Sequence, residues 1–166
     1  MAEITTPRDL FLHELGDIMY VERALSTEVL PKLVSEVTDE EFRTALEQHL
    51  EQTKRHLTNV EKVFEELGET PHAEECIGFE GLRAEHDKLM GEASSDLVDS
   101  IDLGAAARTE CYEIAAYEGL RRMAKAMGED RAVELLDRNL EDEKDALKLV
   151  EKIATRVSKE SAQAIA

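Results

Sequence analysis

A chain of 166 residues, 42% hydrophobic and 35% charged, has the apolar content of one globular domain and is long enough to bury a sizeable core, which excludes a disordered chain. Its formal net charge of −18 repels a phosphate backbone, so no nucleic-acid partner is expected, while the same field attracts cations. No segment approaches the roughly 20 apolar residues that cross a bilayer, and the start, Met1 to Pro7, lacks a basic region followed by an apolar run.

With only 3 Pro and 8 Gly, 4% aromatics and no Trp, the composition points to helices packed by Leu, Ile, Val and Ala. Cys76 and Cys111 form neither a CxxC pair nor a disulfide framework, and a reducing cytoplasm is the expected location. The first helix is predicted from Thr6 as cap, Pro7 at the first helical position and Asp9 in the first turn. Its apolar stripe runs through Phe11, Leu15, Ile18, Leu25, Val29 and Leu33, and Pro31 should kink rather than end it. A second helix is expected to start at a capping box, Thr38 with Glu41, and to stop at Gly68, forming an antiparallel hairpin with the first.

Residues 69–101 are interrupted by Gly, Pro and Asp and read as a crossover carrying a short helix. The third helix is expected over about 102–127, ending at Gly128, and the fourth from a cap at Asp130, with fraying from Ser158. The expected fold is therefore all-α over residues 1–166: a four-helix bundle of two antiparallel hairpins joined by a long crossover, which is the ferritin-like connection.

Placed at about 100° per residue, each apolar stripe is interrupted by polar side chains. Glu22 sits between Ile18 and Leu25; His49, Thr53 and His56 fill the centre of the second stripe, with Gln52 on its flank. Glu113, with Glu110 a turn earlier, lies between Ala106 and Leu120, and Glu143 lies between Leu136 and Val150. Glu22 precedes Thr38 by 16 residues and His56 follows it by 18, while Glu113 and Glu143 are each 15 from Gly128. In antiparallel hairpins these groups share one level. Buried carboxylates with no Lys or Arg beside them call for divalent cations, and oxygen with imidazole donors suits iron, manganese or zinc. His13, His72 and His86 read as surface or crossover residues, Glu47 and Glu51 as a solvated face, and Cys111 as packing.

Several segments resemble the YciE/YciF family of bacterial ferritin-like proteins: Val21-Glu22-Arg23-Ala24-Leu25, His49-Leu50-Glu51-Gln52-Thr53, Cys76 and Glu80-Gly81-Leu82, the segment from Glu110 to Tyr117, and Leu140-Glu141-Asp142-Glu143-Lys144. The resemblance implies a homodimer of four-helix bundles, a dinuclear metal site and an association with stress. Family members usually carry Glu where this chain has Gln52, which removes one anionic ligand; His56, a turn on, is the candidate replacement. The Glu-x-x-His of ferritins and rubrerythrins is also missing, because Ala146 stands three residues after Glu143.

The expected site thus comprises Glu22, Gln52, His56, Glu110, Glu113 and Glu143 around two divalent ions, iron foremost. Glu113 and Glu143 would bridge or chelate and Glu22 and Glu110 would be terminal, with His49, Thr53 and Tyr117 as supporting hydrogen-bonding groups. The matching functions are oxygen or peroxide chemistry in stress protection, or a non-enzymatic stress protein in which any metal is structural. Iron storage would need a hollow shell of many subunits, which nothing in the sequence indicates. Leu12, Met19, Leu30 and Ile114 lie off the stripes, and as exposed apolar surface they would favour the homodimer.

Overall fold

A computed structural model describes residues 3–164, with side chains through residue 162. Helix α1 (Pro7–Ala24) begins on a reciprocal capping box, in which the Asp9 amide donates to Thr6 Oγ1 at 3.1 Å and the Thr6 amide to Asp9 Oδ2 at 2.8 Å. Pro7 takes the position where a missing N–H is harmless.

The irregularity expected at Pro31 lies just before it, as a π-helical turn at Leu25–Val29 leading into α2 (Leu30–Glu36). A proline ring collides with the carbonyl four residues back, here Thr27, and the extra residue of a π-turn makes room for it. Ser26 and Thr27 donate their hydroxyls to the carbonyls of Glu22 and Arg23, both at 2.7 Å, at the start of the widened turn.

Helix α3 (Glu40–Glu66) is capped by Asp39, not by Thr38 as the sequence suggests: Asp39 Oδ1 accepts from the Phe42 amide at 2.9 Å. Thr38 is engaged elsewhere, its amide donating to Asp99 Oδ1 at 2.9 Å and its hydroxyl to Asp99 Oδ2. The crossover carries α4 (Ile77–Glu92) and a 3-10 turn at Ser95–Leu97 and leads into α5 (Val98–Met127), which starts four residues before the expected boundary.

Gly68 and Gly128 end α3 and α5 at φ of 73° and 78°. Each is followed by the bond that closes a left-handed helix end, Glu69 N–H to Phe64 O and Glu129 N–H to Ala124 O. Helix α6 (Asp130–Ala164) includes Asp130 as its first residue, and the carbonyl of Glu129 accepts the first helical bond from Val133. The helix runs on to Ala164, and residues 165–166 of the expected tail lie outside the described residues.

Helix α1 packs on α3 and α5, and α6 packs on α3 and α5, so the four form a square; α2 lies on α3 and α4 on α5. No strand is present among the described residues. This is the four-helix bundle of two hairpins and a crossover. Phe11, Leu15, Phe64, Leu120 and Leu136 fill one half of its core, and Phe42, Leu46, Leu103, Val150 and Ile153 the other. Met19 and Leu30 are buried within the single chain, and Leu12 and Ile114 are partly covered, so they do not form the exposed apolar surface that the sequence suggests. No helix among the described residues is long and apolar enough to cross a membrane.

Arg156 on α6 grips Asp39 with two bonds of 2.8 Å, joining the start of α3 to the far end of the chain. Burial alone would raise the Asp39 pKa, but this guanidinium and the Phe42 amide hold it below the usual carboxylate range. Asp39→Ala should therefore lower stability by about 1 kcal/mol near neutral pH through the lost cap. Because the folded-state pKa is depressed, the Asp39 contribution is present above about pH 4 and fades as pH falls through the folded value. Urea unfolding at about pH 7 and about pH 3 should show the gap between wild type and Asp39→Ala narrowing in acid.

Candidate metal centre

The polar interruptions of the four stripes all point into the middle of the bundle. They stand at helical spacings, His49–Thr53–His56 on α3, Glu110–Glu113–Tyr117 on α5 and Asn139–Glu143 on α6, so each set shares one face. That face is turned inward by its apolar neighbours, among them Leu46 and Val60 on α3 and Leu136 and Val150 on α6. Glu22, Glu113 and Glu143 are 0% exposed, His56 1%, Glu110 4% and His49 7%.

Donor atoms converge in two groups, His49 with Glu110, Glu113 and Glu143, and Glu22 with His56 and Glu143; within each they lie within 4.8 Å of one another. Glu143 belongs to both. Its Oε1 lies 2.7 Å from His56 Nδ1, and its Oε2 lies 3.8 Å from His49 Nε2. His56 Nδ1 is 3.5 Å from Glu22 Oε1, and His49 Nε2 is 3.3 Å from Glu110 Oε1. The contact of His56 with Glu143 is close but not aligned as a hydrogen bond, since both atoms lack such a partner.

Around this core the supporting groups are well connected. The Tyr117 hydroxyl donates to Glu22 Oε1 and accepts from Asn139 Nδ2 at 3.0 Å. Asn139 Nδ2 also reaches the His56 carbonyl at 3.2 Å, and Asn59 Nδ2 donates to Asn139 Oδ1 at 2.8 Å. The other His56 nitrogen, Nε2, faces Asp142 Oδ2 at 3.2 Å, the carboxylate–histidine arrangement common behind metal ligands. Thr53 bonds back to the His49 carbonyl at 2.9 Å on its own helix.

The carboxyl groups themselves are short of partners. Both oxygens of Glu113 and of Glu143, with Glu22 Oε2 and Glu110 Oε2, have no hydrogen bond among the described residues. Burial raises the pKa of Glu110 and Glu113 well above the carboxylate range; neighbouring carboxyls push the same way, although His49 opposes this at Glu110. Glu143 is also raised by burial, with the His56 contact opposing. For His56, burial would lower the pKa, but Glu22 and Glu143 outweigh it and hold the imidazole up at about 11. Burial and the surrounding carboxyls push the Tyr117 phenol well above its usual value. Orphaned buried oxygens facing imidazole nitrogens, with no buried Lys or Arg among the described residues, fit a divalent cation. These groups could hold a metal.

Of the residues expected from sequence, Glu22, His56, Glu110, Glu113 and Glu143 are brought together, and His49 stands with the converging donors rather than behind them. Gln52 is only partly buried and lines a cavity beside His49 and Glu110. The sequence reading overlooks Asn139 and Asp142. Asn139 is detectable as the residue one turn before Glu143 on the same stripe, whereas Asp142 depends on how α6 is rotated. His86, expected on the surface or crossover, bonds through Nε2 to the fully buried Asp102 at 2.7 Å. Cys111, read as packing, is exposed, while Cys76 is buried with its Sγ 2.9 Å from the Tyr112 hydroxyl.

Residues 6–163 match the family described as a domain of unknown function, DUF892. The chain belongs to this family. It is 31% identical over 159 residues to protein YciF of Escherichia coli (strain K12), covering 94% of this chain and 95% of the relative. Among solved structures, YcfI from Rhodopseudomonas palustris, for which a structural role is proposed, matches at 34% identity and a TM-score of 0.86, over 90% of this chain and 96% of that one. The E. coli stress protein YciF matches with a TM-score of 0.86 and 28% identity, over 94% and 99%. A protein from Xanthomonas campestris pv. campestris shares the fold at 18% identity and a TM-score of 0.75, over 96% and 98%. The resemblance to the YciE/YciF family is thereby borne out over nearly the whole chain.

Asn139 is the hub of the supporting bonds, so Asn139→Leu should leave Asn59, Tyr117 and the His56 carbonyl short of partners. The expected cost is about 2 kcal/mol in urea unfolding.

Proposed function

We propose that this DUF892 protein binds two divalent metal ions, iron or manganese, at the centre of its bundle and serves stress protection through oxygen or peroxide chemistry. The observation that supports this most directly is Glu143, which turns one oxygen toward each of two histidine-containing groups. His49, Glu110 and Glu113 would complete one site and Glu22 and His56 the other, with Glu143 between them.

A bound pair of such ions supplies redox change and open coordination positions for an oxidant. The chain's own residues do the rest. Asp142 orients the His56 ring, Tyr117 holds a proton against Glu22, and the apolar half of the core around Phe11 and Phe64 excludes water from that side. His56, its pKa held up at about 11 by Glu22 and Glu143, carries a proton that a cation must displace, and burial favours the protonated form of Glu110 and Glu113.

The same burial favours a second reading. Carboxyls whose pKa is raised can remain in a core as neutral groups without metal, and a structural role is proposed for one relative. In that reading the chain is a non-enzymatic stress protein in which any metal supports the fold.

Metal analysis of protein purified without chelator, followed by peroxide consumption on the same sample, separates the two. Under the first reading Glu113→Gln should cut metal content to one ion or none, and Asp142→Asn should weaken affinity about tenfold. Glu51→Gln, on the exposed face, should change nothing. Metal affinity should rise with pH, with protons released on binding, since uptake must displace the His56 proton and burial favours protons on Glu110 and Glu113 as well. Protein without metal, together with a Glu113→Gln variant more stable than wild type, would establish the structural reading instead.

The homodimer implied by the family resemblance remains part of this proposal, built on a different surface from the one first expected. On α4, Ile77 is 83% exposed and Leu89 40%. Light scattering at micromolar concentration should give a dimer mass for wild type and a monomer mass for Ile77→Asp. A monomeric wild type would remove this part of the reading.

A further inference from the structure

Toward the α2 end of the bundle, beyond His49, the helices do not close on one another. Helix α2 packs on α3 and α4 packs on α5, and the core between them holds a cavity of about 370 Å³. Its buried walls include Leu25, Leu30, Leu33, Phe42, Leu46 and Val150, so it is a cleft that is open to solvent at its rim and reaches into the core. Solvent-facing Glu28, Lys32 and Asp87, with the part-buried Arg83, mark a mouth between α2 and α4.

The inner end is different in kind. His49 and Glu110 line it, with side chains only 8% and 5% exposed, and His49 Nδ1 and Glu110 Oε2 have no hydrogen-bond partner. The cavity thus runs from a charged mouth, along an apolar wall, to two unpartnered polar atoms at the edge of the candidate metal centre.

Protein cores rarely keep voids larger than a water molecule, and a void costs stability in proportion to its volume. An apolar cavity of about 150 Å³ stays dry and accepts a benzene molecule, so one of about 370 Å³ has room for a chain of about ten carbon atoms. An apolar wall that ends inside the bundle on His49, Glu110 and Gln52 suits an unbranched chain with one polar end group lodged there. A hydroxyl can both donate and accept, which matches a ring nitrogen and a carboxyl oxygen. A polyanion is disfavoured by the net charge of −18.

We propose that this cavity binds an aliphatic molecule of about ten carbon atoms carrying one uncharged oxygen group, with the chain along the leucine wall and the oxygen at His49 and Glu110. The inference deepens the preceding reading by giving the candidate centre a substrate class. It rests on that reading for the chemistry but not for the binding.

Calorimetric titration of the full chain with 1-octanol tests it, run with and without added iron on samples of measured metal content. The expected result is saturable one-to-one binding and a raised melting temperature. Ala106→Leu and Leu46→Phe each place extra carbon in the cavity and should weaken binding about tenfold or more, with their own melting curves showing that they fold. Absence of saturable binding in wild type would overturn the proposal, as would unchanged affinity in both folded variants. Octanol binding by a protein that takes up no metal would sink the metal reading and leave this one standing. Metal uptake without octanol binding would do the reverse.

Discussion

A carboxylate moved from water into an apolar core is unstable unless a charge or a donor meets it. This bundle buries Glu22, Glu110, Glu113 and Glu143 at one level, and among the described residues no basic side chain other than histidine is buried with them. Two imidazoles, one phenol and one amide are what the protein supplies. They satisfy one oxygen of Glu22 by a hydrogen bond and leave Glu113 and Glu143 with none. Cation binding and protonation are the two ways such a layer can persist, and the proposed functions divide along that line.

Much else follows from holding this layer in place. All four long helices must keep both rotation and height, or the donors no longer converge. Their ends are fixed accordingly. Asp9, Asp39, Gly68 and Gly128 define where α1, α3 and α5 start or stop, and Asp99 and Arg156 tie the start of α3 to two other helices. The apolar halves of the core then lie on either side of the polar layer and shield it from solvent. The half on the α2 side is incomplete, and Leu25 and Val29 of the π-turn line the gap.

The helices were legible because their punctuation is local. Thr6, Pro7, Gly68 and Gly128 carry their meaning within a few residues, and a carboxylate in the middle of an apolar stripe stands out at any rotation. Glu22, Glu113 and Glu143 were therefore visible, and counting from the turns set their common height. What was missed depends on partners distant in sequence. Thr38 and Asp39 are both competent caps, and the choice is made by Asp99 and Arg156, which no local pattern reveals. His86 meets Asp102 across the junction of two helices whose packing the chain does not announce. Asn139 shares the stripe of Glu143, but its role comes from Tyr117 and Asn59 on either side of it. Pro31 marked a bend, but its form as a widened turn depends on how the helix recovers its packing.

Glu143 has one further consequence. A single side chain that serves two neighbouring groups makes them thermodynamically linked, because any rotation that improves its contact with His49 alters its contact with His56. Two ions held there could not fill as independent sites. The first would fix the carboxylate for the second and also repel it, and the balance of those effects would appear as cooperativity in the binding isotherm. Substitutions on opposite sides of Glu143 should for the same reason fail to add, coupling His49 to His56 although their rings lie 6.4 Å apart at their centres.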